Sequence, residues 1–82
     1  MFVYIYDLKI RGKKPYNNLK RNFYYSLNKL STKFKRKTKS VIVIEKEYEK
    51  DFDKFFTQWK SFIELYKLET DKIEEVFTVN LQ

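Results

Sequence analysis

Asp7 is the only acid among the first forty residues, and it stands where an apolar run gives way to a basic one. A carboxylate so placed has two uses. It can cap the turn that follows by hydrogen-bonding its own backbone, which is the simpler role. It can also help to hold a metal. Magnesium asks for several oxygen ligands, commonly one or two carboxylates with waters and phosphates, so one Asp7 alone is a poor site. Two copies of Asp7 facing each other across a two-fold axis could share one ion. That ion would polarise a phosphodiester and lower the pKa of a bound water. On this reading Asp7 is both metal ligand and catalytic residue of a magnesium-dependent endonuclease acting on RNA or DNA.

Other chemistries are removed by absences. The chain has no His and no Cys, so a Ser-His-Asp triad, a thiol nucleophile and a cysteine/histidine zinc site are all excluded. Gly12 is the only glycine, which excludes a P-loop and a dinucleotide-binding glycine fingerprint.

The second group of candidates is cationic. Residues 1–40 carry nine Lys and three Arg against Asp7, a balance of +11, whereas residues 41–82 carry six Lys against ten acids, a balance of −4. Sign asymmetry of this kind points to an oriented electrostatic partner, and a polyanion outweighs a merely solubilising surface. The binding candidates are Arg11, Lys13 and Lys14 in a first loop, Lys20 and Arg21 on a first helix, and Lys33, Lys35, Arg36, Lys37 and Lys39 after it. In an extended segment Lys33, Lys35, Lys37 and Lys39 would share one side, opposite Phe34, Arg36 and Thr38. Such a comb suits a phosphate backbone, DNA or RNA, better than it suits base edges. Tyr24 and Tyr25 would stack on unpaired bases if exposed, although widening the buried face of the helix is the simpler role for them.

These groups need elements to position them. Residues 2–8 are β-branched and aromatic on both faces, which predicts a central strand covered on both sides. Residues 9–15 read as a loop. Tyr16, Leu19, Phe23, Leu27 and Leu30 recur at helical spacing and predict a helix over residues 16–31. Residues 33–44 are strand-like but have no turn residue, so one long bent strand and two shorter strands both fit. Tyr48, Phe52, Phe55, Phe56 and Trp59 make the apolar face of a second helix over residues 47–60, with acids crowding its first turns. Residues 62–69 alternate as a strand. Asp71 to Glu74 resembles a capping box that would start one helical turn, and residues 76–81 again have strand composition.

The order β-α-β-(β)-α-β predicts an α+β, ferredoxin-like sandwich, with two helices on one face of a mainly antiparallel sheet and a right-handed first crossover. One domain accounts for residues 1–82, with its core over about residues 1–70. The tail, residues 71–82, has no partner in a four-stranded sheet and would pair with the edge of a second copy. No apolar run reaches the length of a membrane span, and the lack of cysteine favours the cytoplasm.

The segments Val3-Tyr-Ile-Tyr-Asp-Leu8 and Lys39-Ser-Val-Ile-Val43, with Arg21 in the intervening helix, give the chain a resemblance to a known family. Over roughly residues 1–70 it resembles the small dimeric protein of CRISPR adaptation complexes and, more widely, virulence-associated toxin-like ribonucleases. The resemblance implies a ferredoxin-like homodimer whose C-terminal strand crosses to its partner. It further implies duplex DNA held across basic flanks beside an integrase subunit. In some members the aspartate after the first strand serves a magnesium-dependent nuclease, which corresponds to Asp7. Leu8-Lys-Ile-Arg-Gly12 stands in place of the family's serine and acid-rich turn, and the family's glycine before the second strand is missing. The leading expectation is therefore a nucleic-acid-binding homodimer. The alternatives are the Asp7 endonuclease, a structural protein of a ribonucleoprotein such as the ribosome, and a protein-interaction module.

Overall fold

The computed structural model describes residues 1–9 and 16–77, and for Tyr16 the backbone only. Arg11, Lys13 and Lys14 lie outside the described residues, as do residues 78–82 of the tail.

Four strands, β1 (Phe2–Leu8), β2 (Phe34–Thr38), β3 (Val41–Ile44) and β4 (Ile63–Glu69), form one sheet in the order β2-β3-β1-β4. Every neighbouring pair is antiparallel. Two helices, α1 (Tyr16–Asn28) and α2 (Glu49–Thr57), complete the α+β, ferredoxin-like arrangement.

Large rings supply the core because few residues have to bury much area. Phe2, Tyr4 and Tyr6 point from β1 toward the helices and are buried, together with Ile42 and Ile44 of β3. Phe23 and Leu27 meet them from α1, and Phe52, Phe55 and Phe56 from α2. Tyr4 stacks on Phe56 with centroids 5.0 Å apart. Phe23 touches the rings of Tyr6, Phe55 and Trp59 at 5.3–5.5 Å. Burying each such side chain contributes about 1.5–3 kcal/mol.

Residues 34–44 hold two strands, β2 and β3. Lys39 and Ser40 make the turn, and the Ser40 N–H donates to Thr38 Oγ1 at 3.1 Å. A register shift between Arg36 and Thr38 marks a bulge at Lys37, which adds the local twist a tight turn needs. Side-chain hydrogen bonding and the bulge together replace the missing turn residue. The second helix is shorter than its apolar stripe predicts. A 3₁₀ turn, Lys46–Tyr48, precedes it, and i→i+3 bonds from Trp59 and Phe62 tighten the chain after it.

Three expectations are corrected. The sequence predicts cover on both faces of β1, but the helices lie on one face only. On the other face Ile5 is 37% exposed, beside Tyr66 at 58% and Leu68 at 53%. The predicted helical turn at 71–74 is absent. Thr70 Oγ1 instead accepts from the Lys72 N–H and donates to the Lys72 carbonyl, closing a local turn. Residues 72–77 are not a strand. Residues 73–77 pass beneath the open face of the sheet, where they share a cavity with Val3, Val41 and Val43.

Candidate nucleic-acid interface

α1 and β2 are joined along one flank. The Tyr24 hydroxyl donates to the Lys39 carbonyl at 3.4 Å, and Arg36 reaches Asn28 Oδ1 at 3.3 Å. Tyr24 and Asn28 are four residues apart on one side of α1, and Lys20 continues the same row. Lys20 and Arg21 are exposed. Lys35 stands opposite Val43 on the open face of the edge strand β2. Lys37 borders the cavity on that face, and Lys39 occupies the hairpin tip. Lys20 and Arg21 thus stand on α1 in the helix layer, Lys35 on the opposite face of the adjoining β2, Lys37 at the cavity there and Lys39 at the hairpin tip. None of them pairs with a carboxylate among the described residues.

The comb of four lysines is broken. Lys33 lies in a 3₁₀ turn, Ser31–Lys33, before the strand begins, and Lys39 follows it, so only Lys35 and Lys37 remain on β2. Lys33 is also neutralised, its ammonium 3.1 Å from Asp51 of α2. Arg36 has a structural task. It faces the helices, donates to the Tyr6 hydroxyl at 3.4 Å and lies 5.7 Å from the ring centroid of Tyr24. Burial raises the Tyr6 hydroxyl above its ordinary pKa, and Arg36 partly opposes that rise.

Acids gather on the other side. Glu49 and Asp53 of α2 grip Lys67 of β4, which lies 4.7 Å from the ring centroid of Phe2. Burial opposes the charge on Lys67, but those two carboxylates outweigh it and raise the ammonium's pKa. Asp53 also accepts from the buried Tyr4 hydroxyl. Burial first, and that carboxylate second, hold Tyr4 neutral far above the usual phenol range.

Asp7 is exposed on the open face, where its register partner is Glu64 of β4. The Lys9 ammonium lies 2.8 Å from Asp7 and 3.6 Å from Glu64, and the Asp7 hydrogen bond raises its pKa. Among the described residues no three Asp, Glu, His or Cys side chains converge on one point. With Lys9 already compensating both carboxylates, one chain as arranged does not make a magnesium cage.

Of the two tyrosines singled out in the sequence, Tyr24 is half-buried against Phe23, as a core role predicts. Tyr25 is 64% exposed, with Lys29 lying 4.7 Å from its ring centroid. Lys54 was missed by sequence reasoning because it sits in the acidic half, and only folding sets it across a groove from Lys29. Its one sequence signal is helical spacing from Lys50 on α2.

No family model, curated protein or solved structure matches the chain.

Proposed function

We propose that this protein binds a nucleic-acid backbone along the α1–β2 flank, as a homodimer closed through the open face of its sheet. The observation that carries the reading is that Lys20 and Arg21 of α1 and Lys35, Lys37 and Lys39 of the adjoining β2 hairpin have no carboxylate paired to any of them among the described residues. Cations outside ion pairs keep most of their attraction for phosphate, although Lys37 shares its cavity with Glu74 and Glu75, and the counterions they release from the polymer drive association. The partner is DNA or RNA, contacted through phosphates rather than base edges. An integrase subunit or a ribonucleoprotein is the larger assembly such a binder would serve. No described helix is long and apolar enough to cross a membrane, and the cytoplasm is the compartment that fits this reading.

The dimer rests on a different observation. Ile5, Tyr66 and Leu68 are exposed on the open face, beside Val3, Val41 and Val43, over which residues 73–77 pass. An apolar face of this kind is complementary to itself, so a second copy is its simplest occupant. The exposed Val76 and Phe77 of the tail would add to the same contact. Asp7 lies on that face too, so packing two copies there is the arrangement that would let two Asp7 carboxylates share one magnesium ion.

Fluorescence anisotropy with labelled duplex DNA, single-stranded DNA and RNA, titrated with salt, tests the reading. Binding that weakens steeply as salt rises supports it. No affinity for any of the three at low salt overturns it and favours a protein-interaction module.

A further inference from the structure

The outer surface of the helices carries a feature separate from the β2 edge. α1, the turn after it and α2 enclose a groove of about 320 Å³. Ser26, Lys29 and Lys33 line it from α1 and the turn after it, and Asp51, Lys54 and Gln58 from α2 and its C-terminal end. Lys33 is tied to Asp51, whereas Lys29 and Lys54 have no carboxylate partner among the described residues. The groove is therefore cationic in balance, and its lining also includes the apolar Leu30 and Phe55. Lys29 connects it to the exposed ring of Tyr25, one helical turn back on α1. Arg21 lies one further turn toward the start of the helix.

We propose that this groove and Tyr25 together form a subsite for one unpaired nucleotide, its phosphate between Lys29 and Lys54 and its base against the Tyr25 ring. The subsite deepens the nucleic-acid reading above and rests on it. A duplex hides its base faces in the stack, so an exposed ring beside cations gains nothing from paired bases except at an end. An unpaired base can leave the stack and lie flat on the ring, while its phosphate is met by neighbouring ammonium groups. Ser26 and Gln58 add neutral hydrogen-bonding groups suited to sugar or phosphate oxygens. The ligand class is therefore single-stranded nucleic acid. The shared chemistry of DNA and RNA leaves both as sources, which the assay separates.

The test measures anisotropy of a labelled pyrimidine-rich single strand, as DNA and as RNA, against the matching duplex. The proteins are the wild type, Tyr25→Ala, Tyr25→Phe, Lys54→Gln and, as a control on the other flank, Lys35→Gln. Tyr25 and Lys54 are exposed, and circular dichroism is the check that each variant folds. Loss of stacking in Tyr25→Ala should weaken single-strand binding about tenfold, with Tyr25→Phe close to wild type. Lys54→Gln should weaken it and reduce the salt slope by about 0.7. Duplex binding should change little in either. If Tyr25→Ala and Lys54→Gln leave single-strand binding intact while Lys35→Gln weakens it, the subsite is refuted and the α1–β2 interface stands. If the wild type binds neither polymer, both proposals fall together.

Discussion

Salt titration of duplex binding probes the α1–β2 flank most directly, because the structure separates its ion-paired cations from those without a partner. Lys20, Arg21, Lys35, Lys37 and Lys39 lack carboxylate partners among the described residues, whereas Lys9, Lys33 and Lys67 are paired. If each of the five unpaired cations meets one phosphate, the slope of log K against log salt is about −4.5 on duplex DNA. Raising salt from roughly 50 to 200 mM then weakens binding about 500-fold. Lys35→Gln and Lys37→Gln should each bring the slope toward zero by about 0.9, and the double variant by about 1.8. Lys9→Gln is the matched control, since that ammonium already sits 2.8 Å from Asp7. It should leave the slope within error of wild type. The assay is anisotropy of a short labelled duplex at four or more salt concentrations. A slope near −1, or one that Lys9→Gln lowers as much as Lys35→Gln does, refutes the division into paired and unpaired cations.

Phe23→Ala removes a fully buried ring at the centre of the aromatic cluster and should cost about 3–5 kcal/mol, read as a lower urea midpoint. Tyr4 and Tyr6 have phenol pKa values raised in the fold, so their contribution is complete below the unfolded-state value of about 10 and declines as pH rises beyond it. Thermal unfolding followed from pH 8 to 11 should show that alkaline loss, and Tyr4→Phe should flatten it while lowering neutral-pH stability by about 1 kcal/mol. Leu68→Asp places a charge among the exposed apolar residues of the open face and should shift the particle from dimer to monomer in light scattering, without loss of helical circular dichroism. With magnesium and labelled RNA and DNA, the endonuclease reading expects cleavage that Asp7→Ala abolishes; cleavage that survives the substitution removes Asp7 from the chemistry.

Much of the fold was legible in the chain because its signals are local. Alternation through Phe2, Tyr4 and Tyr6, and the three- and four-residue steps through Phe23, Leu27, Phe52 and Phe56, each mark a buried face without reference to anything distant. The exclusions were equally local, since a chain without His or Cys lacks those side chains in any fold. The charge division between the halves was also plain, and in the fold the five cations assigned to the α1–β2 flank all come from the N-terminal half. What the chain alone left open depends on which residues meet across the sheet. The Lys39-Ser40 turn needed Thr38 as a hydrogen-bond acceptor and a bulge at Lys37, neither of which composition announces. That bulge, and the start of β2 only at Phe34, dissolved the four-lysine comb. Tertiary contacts then sorted equal-looking cations into different tasks: Lys33 to Asp51, Arg36 to Tyr6 and Asn28, and Lys35 to open solvent. A charge has the same formal value wherever it stands in a sequence, but its attraction for a ligand depends on which counter-charge the fold sets within a few ångströms. Only the folded chain decides that distance.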